Sequence, residues 1–246
     1  MKLSFKSDGG YGAGPAIGVV VLSTDETLEP ELRQVTAQTG VSLYHSRIPF
    51  DVNVTPETLA RMEGNLPASL DLFPRHTNFG AIGFGCTSGA TVIGAKRVAE
   101  IVKEQFPDTS VTDPISAVIA ACHALGVKRL GMLTPYRMDV STAMSELLEA
   151  NGIKIGAFGT FEEEVDHRVA RISESSTLDG MLQVGAGDCD AVFASCTNLR
   201  SFGVIETAEK ALGKPVISSN SAFAWHLHRL AGVTEPLAGP GQLFSV

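Results

Sequence analysis

The segment Ala16-Ile17-Gly18-Val19-Val20-Val21-Leu22 is a continuous apolar run that ends in the polar loop Ser23-Thr24-Asp25-Glu26-Thr27. A run without polar alternation predicts a strand covered on both faces, as in a parallel sheet. A helix follows from about Pro30 to Gln38, with proline near its start and Gly40 as its stop. Val41 to Ile48 reads as the next strand. Thr55-Pro56-Glu57 opens another helical stretch in the manner of an N-cap, and Gly64 and Pro67 are expected to divide it. Phe79 to Phe84 is a strand leading to Cys86. From Ala90 to Phe106, apolar Val92, Ile93, Val98, Ile101 and Val102 recur at helical spacing. A short strand near Val111 leads to Asp113-Pro114 and a mostly apolar helix over Ile115 to Leu125.

The order then begins again. Strands are predicted at Lys128 to Leu133, Ile153 to Phe158, Ala191 to Ala194 and Lys214 to Ser218. Helices are predicted at Asp139 to Asn151, Val165 to Ile172, Thr177 to Val184, Gly203 to Leu212 and Ser221 to Leu230. The loop at Asp25 matches Tyr136, Cys86 matches Cys196, and Asp113-Pro114 matches Asn220-Ser221. The offset stays at about 110 residues, far longer than a solenoid repeat. This is a duplicated βα half-chain. It predicts an α/β protein of two pseudo-symmetric, doubly wound, flavodoxin-like lobes with parallel sheets and a cleft between them. The first lobe is expected over 1–114, completed by 220–246, and the second over 115–219.

Composition narrows the partner. The chain has 246 residues, a net charge of −8 and no cluster of Lys or Arg, which argues against nucleic acid or an anionic membrane surface. No apolar run reaches the length of a membrane span, and the first residues lack the apolar core of a secretion signal. A cytoplasmic protein with a small-molecule ligand is expected. The glycine-rich lead-in Gly9-Gly10-Tyr11-Gly12-Ala13-Gly14 precedes a strand instead of joining a strand to a helix, so it does not read as a dinucleotide loop. Cys86, Cys122, Cys189 and Cys196 are expected as free thiols, since a chain with this much core does not need disulfides.

The chemistry lies in the two copies of one turn. Phe84-Gly85-Cys86-Thr87-Ser88-Gly89 and Ala194-Ser195-Cys196-Thr197-Asn198 each end a buried strand at a cysteine followed by residues able to cap a helix. Ligands of such sheets gather beyond the carboxyl ends of the strands, where Asp25, Cys86, Tyr136 and Cys196 all fall. Two opposed thiols can remove a proton from one face of a carbon and return it on the other. A helix N-terminus or nearby cation would be needed to bring a thiol below about 8.5. Thr87, Ser88, Thr197 and Asn198 offer donors for a carboxylate or developing enolate, and Tyr136 could add another. A single buried cysteine is usually a packing residue; it is the duplication that raises both. Cys122 reads as helix core and Cys189 as a loop residue. Neither the Cys189/Cys196 spacing nor His226-Leu227-His228 fits a metal-ligand pattern. Arg137 and Arg200 stand at loop positions where long cations are generally solvated.

The loop Ser23 to Glu29, Cys86-Thr87-Ser88, Tyr136 and Ser195-Cys196 together resemble the aspartate/glutamate racemase superfamily, in the branch of maleate isomerase and arylmalonate decarboxylase. The resemblance runs from about Ile17 to Gly232. It implies an isomerase or racemase that needs no cofactor and no metal, with Cys86, Cys196 and Tyr136 catalytic and a small carboxylic acid as substrate. It also implies a homo-oligomer. Decarboxylases of the branch carry glycine where this chain has Cys86, which favours isomerisation or racemisation. The isomerases place asparagine in the first loop where this chain reads Asp25-Glu26, and a carboxylate there favours a substrate bearing an ammonium. Members involved in ectoine utilisation look similar in that loop. Asp25 could instead be only a helix cap.

The alternatives are an arylmalonate-type decarboxylase, a cysteine hydrolase and a two-lobed solute-binding module without chemistry. A hydrolase would need a histidine base, and none of His45, His76 or His123 falls on a strand-end loop of the cleft.

Overall fold

A computed structural model describes residues 1–10, 14–51 and 54–246. Part of the glycine-rich lead-in and part of the segment between the strand expected to end at Ile48 and the helix expected to open at Thr55 lie outside them. The strands are β1 (Ala16–Leu22), β2 (Ser42–Ile48), β3 (Phe79–Gly85), β4 (Ser110–Thr112), β5 (Arg129–Thr134), β6 (Lys154–Thr160), β7 (Ala191–Ala194) and β8 (Val216–Ser218). They form two parallel sheets of one design, β2-β1-β3-β4 and β6-β5-β7-β8. The apolar run of β1 is buried at every residue, as its lack of alternation predicts. In each sheet the direction of winding reverses beside the first strand, at β1/β3 and β5/β7. There the loops after neighbouring strands diverge and leave a crevice. Asp25 and Cys86 follow the first pair; Tyr136 and Cys196 follow the second.

The helices are α1 (Leu28–Thr36), α2 (Pro56–Leu70), α3 (Thr87–Ile93), α4 (Ala95–Gln105), α5 (Pro114–Leu125), α6 (Met138–Ala150), α7 (Asp166–Val169), α8 (Glu174–Gly185), α9 (Phe202–Leu212) and α10 (Ser219–Leu230). Three differ from expectation: the helix expected over Val165 to Ile172 is only the short α7. Helix α2 is not divided: Gly64 and Pro67 lie inside it, because Leu59, Met62, Leu66 and Leu70 form one fully buried face that outweighs a missing hydrogen bond near its end. The helix expected over Ala90 to Phe106 is instead two, broken at Gly94, whose φ of 89° suits glycine and not an L side chain.

Helix α10 returns to the first sheet. A Cβ added to Gly83 of β3 would stand 2.3 Å from Phe223 Cζ, so strand and helix meet at van der Waals distance. The entries to α5 and α10 are capped alike: Asp113 accepts from Ser116 N, and Ser218 from Ser221 N. By cap geometry the partner of Asp113 is therefore Ser218, two residues before the sequence match. No helix among the described residues is long and apolar enough to cross a membrane.

Candidate active site

Cys86 leaves β3 in extended conformation and caps α3 with its own sulfur, accepting from Gly89 N at 3.2 Å. Ser88 Oγ lies 3.7 Å from that sulfur. The absence of a side chain at Gly89 is required here, because a Cβ would stand 2.9 Å from Cys86 Sγ and 2.4 Å from Met62 Cε.

Cys196 is held differently. It was expected to precede a helix directly, yet α9 starts only at Phe202 and Cys196 sits in a turn with φ of 106°. That region is sparsely populated by L residues and persists only when the surroundings impose it. Cys196 N donates to Ser219 Oγ at 3.0 Å, and Asn198 N donates to Cys196 Sγ at 3.3 Å. Ser219 Oγ also accepts from Thr87 Oγ1 at 2.9 Å. One hydroxyl at the start of α10 thus fastens both cysteine turns. The sequence reading did not single out Ser219; its signal was the cap-rich run Ser218-Ser219-Asn220-Ser221.

Tyr136 is buried, with the Cys196 thiol beside it and Cys86 near enough to act on it electrostatically. Burial raises the tyrosine well above its ordinary range. The same cause pushes Cys86 up to about 12 and Cys196 well above the usual thiol value, and the carboxylates of Asp166 and Asp25 add to both shifts. Both thiols are therefore protonated at neutral pH in the unliganded protein.

Asp25 serves as a cap, as the alternative reading held, and does more. Its Oδ1 accepts from Thr27 N and Leu28 N, both at 2.8 Å, opening α1. Its Oδ2 is buried without a hydrogen bond of normal geometry, although the Thr197 side chain is near enough to ease ionisation. Burial raises Asp25 to about 6. Asp166, at the start of α7, is a second buried carboxylate, also raised by desolvation, whose Oδ2 accepts from Asn198 Nδ2 at 3.0 Å. The sequence reading placed Asp166 inside the helix expected over Val165 to Ile172 and gave it no role in the site. Asp166 ends the acid-rich stretch Glu162-Glu163-Glu164-Val165-Asp166, whose pattern resembles a solvated surface.

The residues expected to cradle a carboxylate divide into two groups. Thr87 and Asn198 join the two halves: Asn198 Oδ1 accepts from Glu26 N at 2.9 Å, its carbonyl accepts from Thr27 Oγ1 at 3.0 Å, and its amide reaches Asp166. Ser88 and Thr197 remain beside Cys86 and Asp25 respectively. Arg137 and Arg200 are exposed and bonded to Glu164 and to the Ile172 carbonyl. All four cysteines are free and buried. Among the described residues no three His, Cys, Asp or Glu side chains group as a metal-ligand set.

The family model described as arylmalonate decarboxylase matches residues 81–244. The chain is 26% identical over 241 residues to a maleate isomerase of Nocardia farcinica, covering 92% of this chain and 94% of that one. It is 29% identical over 159 residues to an arylmalonate decarboxylase of Bordetella bronchiseptica, covering 63% of this chain and 65% of that one. Among solved structures, a variant of the Nocardia farcinica maleate cis-trans isomerase with a covalently bound succinylcysteine intermediate superposes with a TM-score of 0.84 at 24% identity. That match covers 94% of this chain and 98% of the other.

Proposed function

The chain belongs to the arylmalonate decarboxylase family, in the branch of the aspartate/glutamate racemase superfamily that includes maleate isomerase, and on that premise we propose a cofactor-independent isomerase or racemase of a small carboxylic acid. Cys86 and Cys196 act from opposite faces of one substrate carbon. One thiolate removes the proton, negative charge develops on the substrate carboxylate, Tyr136 donates toward it, and the opposite thiol returns a proton. The half-reactions exchange roles with the direction of turnover.

The observation that carries the substrate class is a pair of buried carboxylates, Asp25 and Asp166, acting on both sulfurs. No lysine or arginine is buried among the described residues to balance them. Two unit charges 4 Å apart interact by about 4 kcal/mol at the effective dielectric of a partly screened site. That is enough to disfavour a dianion such as maleate and to favour an acid with an ammonium group. The ammonium would also offset the carboxylates and lower the thiol pKa as substrate binds, activating the base only in the complex. The substrate is therefore an amino acid or a close derivative, in keeping with the likeness of the Ser23–Glu29 loop to ectoine-utilisation proteins.

The test is proton exchange followed by NMR in deuterium oxide over a panel of L- and D-amino acids, with maleate in parallel. Wild type should exchange the α-proton of at least one amino acid, and Cys86→Ala and Cys196→Ala should each abolish it. Full activity in both variants would sink the two-thiol reading; turnover of maleate alone would sink the substrate class. Decarboxylation is the second reading, favoured by the family match, and carbon dioxide release from an arylmalonate would establish it.

A further inference from the structure

Glu31 belongs to α1, yet its carboxylate is bound by segments far along the chain, at the starts of α9 and α10. Oε1 accepts from Ser201 N at 2.9 Å and Phe202 N at 3.0 Å, the opening of α9. Oε2 accepts from Asn220 Nδ2 at 2.7 Å. The Ser201 side chain does not cap α9, so a residue far away in sequence supplies the acceptor its free N–H groups need. The same Asn220 amide donates to Thr197 O at 2.8 Å, the carbonyl directly after Cys196.

The segment from Cys196 to α9 is therefore clamped at both ends. Asn220 holds it at residue 197 and Glu31 holds it at 201 and 202. Directly before the first of these ties stands the strained backbone of Cys196, at φ 106°, which its surroundings must hold in place. We infer that Glu31 is a positioning residue for Cys196: by tying α1, Asn220 and the start of α9 together, it sets where that sulfur stands relative to Tyr136 and Cys86. Three donors converge on two oxygens, and only an acceptor-only group satisfies all three, which Glu31 is once it ionises above about pH 7. Glutamine has the same shape but must turn its NH₂ toward a donor. Cys86 shares none of the Glu31 and Asn220 hydrogen bonds: its sulfur is held by Gly89 N within its own turn, and that turn meets the start of α10 only through Thr87 Oγ1 donating to Ser219 Oγ.

The inference rests on Cys196 being one of the reacting pair. Its test reads the placement of the sulfur without turnover, so it can fail independently of the proposed reaction. The full-length wild type and Glu31→Gln would be treated with iodoacetamide at pH 8, where Glu31 is ionised, and alkylation of Cys86 and Cys196 followed separately by peptide mass spectrometry. The loss of one hydrogen bond to a charged group should change the Cys196 rate about tenfold while the Cys86 rate holds. Parallel change at both thiols, or at neither, would overturn it. Should Glu31→Gln not fold, Asn220→Ala removes the tie to Thr197 and must show the same asymmetry; an unchanged ratio there overturns it equally.

Discussion

Glu31 also makes stability depend on pH. Burial raises its carboxyl from 4.5 to about 7, with the hydrogen bonds from Phe202, Ser201 and Asn220 restraining the rise. Between those values the native protein keeps a proton that the unfolded chain has released. The corresponding stability is fully present below 4.5 and is lost as pH rises through about 7. From pH 5 to pH 8, at ~1.4 kcal/mol per unit, the loss due to this group is about 3 kcal/mol. Asp25, raised to about 6 by burial, adds about 1 kcal/mol in the same direction. His45, His226 and His228 are lowered by burial and act oppositely, losing stability as pH falls below the usual histidine range. The total curve therefore mixes signs, whereas the difference between wild type and Glu31→Gln isolates one group. Urea unfolding at pH 5, 6, 7 and 8 should show the stability of wild type relative to Glu31→Gln falling by about 3 kcal/mol across the range. A difference that stays constant with pH would refute the assignment of a buried, titrating Glu31.

Gly83→Ala should destabilise the fold by about 1–3 kcal/mol through the clash with Phe223, and an unchanged melting temperature would contradict the packing of α10 on β3. Gly89→Ala should slow alkylation of Cys86 more than that of Cys196, because its Cβ would crowd the Cys86 sulfur at 2.9 Å; equal slowing would argue against that contact. Asp166→Asn removes a negative charge that raises both thiols, so Cys86 and Cys196 should both alkylate faster at pH 8. Rates unchanged at both would remove Asp166 from the electrostatics of the site.

Local chemistry made much of this protein legible. Parallel strands buried on both faces need continuous apolar residues, so β1, β3, β5 and β7 stand out in the chain. Their repetition with Cys86 and Cys196 at matching ends implied a doubled fold, and strand-end geometry then placed Asp25 and Tyr136 in the same region. Errors arose where a single residue competed with its surroundings. Pro67 is a helix breaker in isolation, and only the burial of Leu59, Met62, Leu66 and Leu70 shows why it fails to break α2. Gly94 lies inside the span read as one helix over Ala90 to Phe106, and its positive φ divides that span.

What the sequence determined by itself was the set of residues whose role follows from their own neighbours: the strands, the caps and the two thiol-bearing turns. What tertiary structure decided was the state of those groups. Asp166 and Glu31 look like ordinary surface acids in the chain, and become buried carboxylates only because distant segments close over them. Asn198 looks in the chain like a ligand donor, and in space it also ties its turn to Glu26 and Thr27 of the other half and to Asp166 of its own. The backbone strain at Cys196 and the shared hydroxyl of Ser219 likewise belong to no single segment. Charge, desolvation and strain depend on what surrounds a residue in space, and sequence proximity supplies only part of that surrounding.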